Sequence, residues 1–173
     1  TAHHLSYVAT ASPAVKRWGL FPLLRRFEAL APKLPRIGRA RMPKSDIVEI
    51  GQSPSQGFAP ATVSSIEVKR GRAAISQFAI GLLGPMGALP THLTEYAQYE
   101  QRYAKNRPFG RFLDLIGGRM QQFFYRAWAD SQPVTYLDRP GDDRFAQYIA
   151  TLSGAFDGSR TDSAFPPAAR LHY

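Results

Sequence analysis

The chain has 173 residues, 44% of them hydrophobic, and carries 22 Lys and Arg against 13 Asp and Glu, a net charge of +9 with His neutral. This much apolar matter excludes a disordered basic tail, and the absence of cysteine excludes a disulfide-stapled secreted module, thiol catalysis and Cys-ligated zinc. No stretch of about 18 apolar residues occurs in the sequence, so no direct membrane insertion is predicted.

The basic residues are concentrated in the first part of the chain. Residues 1–72 carry a net charge of +8, and their densest run contains no acidic residue: Lys33, Arg36, Arg39, Arg41 and Lys44. Such a run is typical of a surface for nucleic acid, for an anionic membrane or for an acidic protein, and equally of a solvated loop.

The first predicted element is an amphipathic helix over Ala14–Ala31. Trp18, Phe21 and Phe27 recur at helical spacing, and most charged residues lie off that stripe. Pro22 either lies in the first turn or kinks the helix. A basic, proline-punctuated loop follows, so we divide the chain into residues 1–45, with the helix and the basic loop, and an α+β domain over 46–173.

A small antiparallel sheet is predicted next. Residues 47–50 form a short strand candidate, and Ser64–Lys69 alternates between apolar and polar residues. Arg70-Gly71-Arg72 can close a hairpin onto Ala74–Ile80. These strands are too close in sequence for crossover helices, which favours antiparallel pairing.

The second half of the chain is predicted to hold two long helices and a short one. The first runs from an N-cap at Thr91 to about Lys105, and the last covers Asp143–Leu152. Between them, from Pro108, apolar residues keep a spacing of three or four up to Trp128, and bulky groups occupy more than one face of that helix. The stripe is therefore either core or partly covered by a partner chain.

No constellation of residues predicts catalysis. The glycine-rich run at 81–87 contains Pro85 and lacks the Lys-Ser/Thr pair of a phosphate loop. His92 and Glu95 share a helix face but have too few companions for a zinc site, and a hydrolase that uses this pair is a third alternative. We predict no enzyme activity, no catalytic residue, no cofactor and no bound metal.

Three stretches, in this order along the chain, resemble the TssG (ImpH/VasB) family of type VI secretion baseplate subunits. They are Pro-Arg-Ile-Gly-Arg at 35–39 with the segment 48–60, the segment 78–95 with its glycine-rich turn, and Phe-Leu-Asp at 112–114 continuing to Phe-Tyr-Arg-Ala-Trp at 124–128. The opening helix from Trp18 to Glu28 also fits, whereas Leu93 and Gly117-Gly118 depart from the family pattern.

The resemblance implies a structural subunit of the baseplate wedge, corresponding to the N-terminal half of a family member. Such a subunit would hold two copies of TssF, dock the TssK adaptor and lie near TssE and the VgrG hub, in the bacterial cytoplasm. No nucleic-acid partner is expected from it. A basic nucleic-acid-binding module, suggested by the charge alone, is the alternative.

The candidate partner interface consists of aromatic and arginine side chains, the types that anchor protein interfaces. They are Trp18, Phe21, Phe27, Arg36, Arg39, Tyr125 and Trp128. The same aromatic residues have the spacing of core residues, so both interpretations stay open at the level of sequence. The basic loop Lys33–Lys44 is assigned to an acidic partner surface.

Overall fold

The computed structural model describes residues 3–104 and 106–152 and has an α+β architecture, as predicted. The helices and strands are α1 (His3–Ala11), α2 (Leu20–Leu30), β1 (Val48–Gln52), β2 (Val63–Lys69), β3 (Arg72–Gln77), α3 (Thr91–Tyr103), α4 (Pro108–Asp130), α5 (Pro133–Leu137) and α6 (Arg144–Leu152). Short 3₁₀ turns cover Ser12–Arg17, Pro43–Ser45 and Pro140–Asp142.

The predicted N-terminal helix begins later than its apolar spacing indicates. Gly19 is its extended N-cap, and Pro22 lies in the first turn of α2, where the missing N–H costs no helical hydrogen bond. The stretch Ser12–Arg17 forms the 3₁₀ turn instead. α1, which lies before the predicted helix, was not predicted; it buries Val8 and Ala11 in the core.

The predicted hairpin is confirmed. β2 and β3 pair antiparallel, and the two residues between them, Arg70 and Gly71, have positive φ angles of 51° and 73°. A two-residue turn of this kind matches the twist of the flanking strands.

The prediction of a wholly antiparallel sheet is wrong for β1, which pairs parallel with β3 and places the strands in the order β1-β3-β2. Parallel neighbouring strands were expected to need a helix in the connection between them. Here β2 itself provides the return path, because it lies on the far side of β3 and runs opposite to both other strands. The result is a mixed sheet with β1 at one edge and β2 at the other.

The described residues belong to two compact units, one within Thr1–Ala129 and one within Asp130–Tyr173. This partition differs from the predicted one, and residues on both sides of position 45 share the core of the first unit. That core combines residues of α2, the sheet and α4, including Leu23, Leu24, Phe27, Ile47, Val48, Ile66, Ile75, Tyr125 and Ala129.

A side chain of α3 provides hydrogen-bond acceptors for the backbone N–H groups at the start of α4. The predicted N-cap of α3, Thr91, is its first helical residue, and Pro90 precedes it as the cap. Near the other end of α3, the buried Glu100 carboxylate accepts hydrogen bonds from the backbone N–H groups of Phe109 and Gly110 at 3.5 and 3.3 Å. A carboxylate at this position satisfies N–H groups that have no partner within the helix and complements the helix dipole.

In the second unit, the predicted short helix is α6. Its first turn is capped by Asp143, whose side-chain oxygen accepts a hydrogen bond from the backbone N–H of Ala146 at 3.0 Å. α5 was not predicted. Its Tyr136 ring lies 5.6 Å from the Phe145 ring, and the Tyr136 hydroxyl donates to Asp130 at 2.9 Å.

Candidate protein-binding surface

The side of α4 that faces the rest of the first unit consists mainly of polar and small residues, with Tyr125 and Ala129 in the hydrophobic core. Its buried members are Gly118, Gln121, Gln122, Tyr125, Arg126 and Ala129. Apart from Tyr125, which the sequence left open between core and interface, these residues were not predicted to face the core. The polar side chains on this face can form hydrogen bonds with a neighbouring element, and the glycine allows that element to approach the helix closely.

This polar side of α4 covers the free edge of β1. The backbone N–H of Gln52 donates to Asp114 at 2.9 Å, and the Gln122 amide donates to the backbone oxygen of Val48 at 3.2 Å. Between them, a Cβ added at Gly118 would lie 2.6 Å from the backbone oxygen of Ile50, so only glycine allows this approach. An edge strand covered in this way cannot pair with another chain.

The spacing of these contacts follows from the geometry of the two elements. Four residues of an α-helix rise about 6 Å, and two residues of a strand advance about 6.6 Å. Helix positions 114, 118 and 122 therefore meet strand positions 52, 50 and 48 in succession, with α4 antiparallel to β1. Alternate strand residues direct their backbone groups to the same edge, so each contact meets an outward group.

The same packing shifts the acidity of side chains on α4. Burial raises the pKa of Asp114 above its usual range, an effect that the hydrogen bond from Gln52 opposes. Burial also raises the pKa of Tyr125, and the nearby Glu28 carboxylate adds to the rise. Asp114 is bound to β1, and Tyr125 packs against Phe21 of α2.

The basic loop Lys33–Lys44 lies along one flank of α4. The Arg119 guanidinium donates to the backbone oxygens of Gly38 and Ala40 at 3.3 and 3.0 Å. Gly38 has a φ of 83°, and a Cβ added there would lie 3.0 Å from the backbone oxygen of Gln122. The conformation and the close contact both require glycine at this position.

A buried ionic cluster joins the loop to α2 and α4. Glu28 of α2 accepts a hydrogen bond from Arg36 at 2.9 Å and from Arg126 at 3.0 Å, and all three side chains are buried. The backbone N–H of Ile37 also donates to Glu28, at 3.3 Å. Arg36 therefore points into the protein, and the exposed cations of the loop are Lys33, Arg39, Arg41 and Lys44.

The outward side of α4 is apolar and exposed. We call five of its side chains, each between 48 and 65% exposed, the α4 apolar face: Phe112, Ile116, Met120, Phe123 and Phe124. These residues belong to the stripe that the sequence left between core and partner contact. In this structure they lie on the surface.

The candidate interface residues predicted from sequence occupy different environments. Phe27 and Tyr125 are fully buried in the core of the first unit, and Arg39 is exposed on the basic loop. Trp18 is half-buried, with its ring 6.1 Å from Tyr7.

Two other predicted residues lie beside the α4 apolar face. The half-buried Phe21 and Trp128 rings are 5.0 Å apart, and Phe21 is also 5.9 Å from Phe124. Sequence reasoning did not select Ile116 or Met120 as interface residues. A signal for them was present in the spacing, because Asp114, Gly118 and Gln122, which meet β1, repeat at steps of four on the other side of the helix.

The remaining motifs have structural partners. Leu83 in the glycine-rich run donates its N–H to the Gln52 side chain at 2.8 Å, and that amide donates back to the Leu83 oxygen at 2.6 Å. His92 and Glu95 are exposed, and Glu95 accepts a hydrogen bond from Gln56. Within residues 3–104 and 106–152, no group of three or more His, Asp or Glu side chains is placed to hold a metal ion.

An exposed apolar helix face beside a basic loop is typical of a protein that assembles with other protein chains. The chain matches the model of the family described as "Type VI secretion, TssG" over residues 14–173, and it belongs to that family. It is therefore a structural subunit of the type VI secretion baseplate. No curated protein and no solved structure matches the chain. None of the described helices is long and apolar enough to cross a lipid bilayer.

Proposed function

We propose that this protein is a subunit of the baseplate wedge that holds two TssF subunits together and links them to the TssK adaptor. In the assembled contractile machine it would lie near TssE and the VgrG hub, on the cytoplasmic side. Membership of the TssG family supports this assignment. The observation that carries it is the α4 apolar face, which the described residues of the chain leave open to solvent.

We assign the contact with TssF to the α4 apolar face together with Phe21 and Trp128 at its end. Exposed aromatic and long apolar side chains on a rigid helix supply most of the binding free energy in stable interfaces. Phe27, Tyr125 and Arg36 act from inside the first unit, where they hold α2 and the basic loop in place beside α4. Trp18 and Arg39 stay candidates for contacts outside this face.

Co-expression with TssF and affinity purification tests the assignment. Met120→Asp places a charge in the middle of the proposed contact, and we expect it to reduce recovered TssF at least tenfold. Phe58→Asp is the matched control, because Phe58 is 87% exposed on the loop between β1 and β2, far from α4 in sequence. It should leave recovery unchanged.

Two results would contradict the proposal. The first is full recovery of TssF with a folded Met120→Asp variant, which would remove α4 from the interface. The second is failure of the wild-type chain to recover TssF, together with sub-micromolar, steeply salt-dependent binding to nucleic acid in a filter assay, which would favour the nucleic-acid alternative.

A further inference from the structure

The α4 apolar face has the geometry of one row of a helix–helix contact. Phe112, Ile116, Met120 and Phe123 follow one another at steps of four, four and three residues, and the exposed Ala127 continues the row four residues later. Such a row stays on one side of the helix and extends about 22 Å from first to last residue. Ridges of this kind fit into the groove of another helix.

One flank of this row is basic. The Arg119 guanidinium lies over the Phe123 ring at 4.5 Å from its centre, and it also anchors the basic loop through the backbone oxygen of Ala40. The exposed Arg41 directly follows Ala40. The exposed Lys44 precedes Asp46 by two residues, and Asp46 lies 3.7 Å from Arg119. The loop backbone at Gly38 and Ala40 therefore lies against Arg119 at the edge of the apolar row, and Arg41 follows it directly in the sequence.

No acidic side chain of α4 balances this charge on the outward side. The acidic residues of α4 are Asp114 and Asp130; Asp114 is bound to the backbone of β1, and Asp130 ends the helix. An occupant of the row therefore gains most if it carries acidic residues along the flank that faces the loop.

We infer that the α4 apolar face and the adjacent basic loop form one site for an amphipathic α-helix of another protein chain, with an apolar stripe that packs on the row from Phe112 to Ala127 and acidic residues that face Arg41 and Lys44. This inference rests on the proposed function and deepens it, because it states the chemistry of the partner segment. The basic loop sets which flank of the incoming helix faces it, and so sets the direction in which that helix lies.

An anionic lipid surface is the other occupant that apolar and basic groups could attract. The arrangement favours a helix, because an interfacial helix carries cations along the polar face that lies opposite its apolar side. In α4 that opposite face is bound to β1 and is not available to a lipid surface.

The test is direct binding of synthetic helical peptides to the whole chain, measured by fluorescence anisotropy. Three labelled peptides share one composition of apolar residues: the first has Leu at helical spacing with Glu on one flank, the second has Lys in place of Glu, and the third is a scrambled sequence of the first. We expect the acidic peptide to bind at least tenfold more tightly than either other peptide, with affinity falling as salt increases.

Three variants locate the binding. Ile116→Asp should abolish binding of the acidic peptide, and Phe58→Asp should leave that binding unchanged. The thermal unfolding of Phe58→Asp is the reference against which the folding of Ile116→Asp is judged. The double variant R41E/K44E should weaken the acidic peptide about tenfold and bring the basic peptide to equal or tighter binding. Equal binding of the acidic and scrambled peptides, or an acidic peptide insensitive to Ile116→Asp, would overturn the inference.

Two further measurements separate this inference from the proposed function and from the lipid alternative. If Met120→Asp loses TssF while Ile116→Asp and R41E/K44E both retain it, the wedge assignment stands and the helix-binding site is wrong. Sedimentation with phosphatidylglycerol vesicles is the lipid test: binding to vesicles that Ile116→Asp abolishes, without binding of the acidic peptide, would overturn the inference in favour of a lipid surface.

Discussion

α2 and α4 are both amphipathic helices with bulky apolar residues at steps of three and four, yet they pack in opposite ways. α2 turns its apolar side inward, where Leu23, Leu24 and Phe27 are fully buried. α4 turns its polar side inward and leaves Met120 and Phe123 on the surface. The periodicity of a helix thus defines an apolar side without stating whether the same chain or another covers it.

The difference arises from what each helix meets. α2 lies in a core of aliphatic residues, where apolar contact is the main source of stability. α4 lies at the open edge of β1, where backbone N–H and C=O groups need partners and an apolar side chain would leave them without hydrogen bonds. A polar helix face is therefore the more stable neighbour at this edge.

The strongest test of the inward side concerns the ionic cluster that connects the two helices. Glu28→Gln keeps the shape of the side chain but removes the buried negative charge that Arg36 and Arg126 share, so we expect a loss of about 3–5 kcal/mol in the free energy of unfolding. Urea denaturation measures it. Glu67→Gln is the control, because the Glu67–Lys69 pair is about half exposed and contributes at most about 1 kcal/mol.

The apolar side of α2 is buried and that of α4 is exposed, so truncating a side chain to alanine should lower the free energy of unfolding much more on α2 than on α4. Leu24→Ala should cost about 2–5 kcal/mol, because the side chain is fully buried and its removal leaves a cavity. Met120→Ala, on the α4 apolar face, should change the free energy of unfolding by no more than about 0.5 kcal/mol. Equal losses in urea denaturation would show that the α4 apolar face is core after all.

Adjacent glycines of α4 offer a matched pair on its two sides. Gly118→Ala should cost about 1–3 kcal/mol, because the new Cβ meets the backbone oxygen of Ile50 and forces α4 from β1. Gly117→Ala has its nearest contact at 3.6 Å, with the flexible end of Gln121, and should stabilise the helix by up to about 1 kcal/mol. Thermal unfolding of both variants would contradict the packing if their shifts had the same sign.

The smallest effect is a dependence on pH. Because burial raises the pKa of Asp114, the folded state binds this proton more tightly than the unfolded chain, and the contribution of the group to stability falls as pH rises above about 4. Asp114→Asn keeps an oxygen that can accept from Gln52 and removes the titration. Its stability relative to the wild type should therefore increase between pH 4 and pH 7, and a constant difference over that range would contradict the prediction.

Local chemistry made several elements predictable. Pro22 placed the start of α2 as one of two options, Arg70-Gly71 predicted the hairpin, and Pro108 marked the start of α4. The parallel pairing of β1 was not predictable in this way, because the order of strands depends on which strand occupies the middle of the sheet. Family membership was predictable from the ordered motifs and is confirmed by the match over residues 14–173.

The candidate protein-binding surface shows the same distinction between features that the local sequence predicts and features that depend on tertiary packing. The sequence by itself determined that α4 has an apolar row and that the loop beside it is basic, since both depend on spacing and composition alone. Only the tertiary structure decided that Arg36 turns inward to Glu28 and that the apolar row faces outward. The physical reason is that the hydrophobic effect is not directional, so an apolar row can be buried by the same chain or by another one. The edge of β1 needs hydrogen-bonding and small residues at a fixed spacing, and Asp114, Gly118 and Gln122 have that spacing.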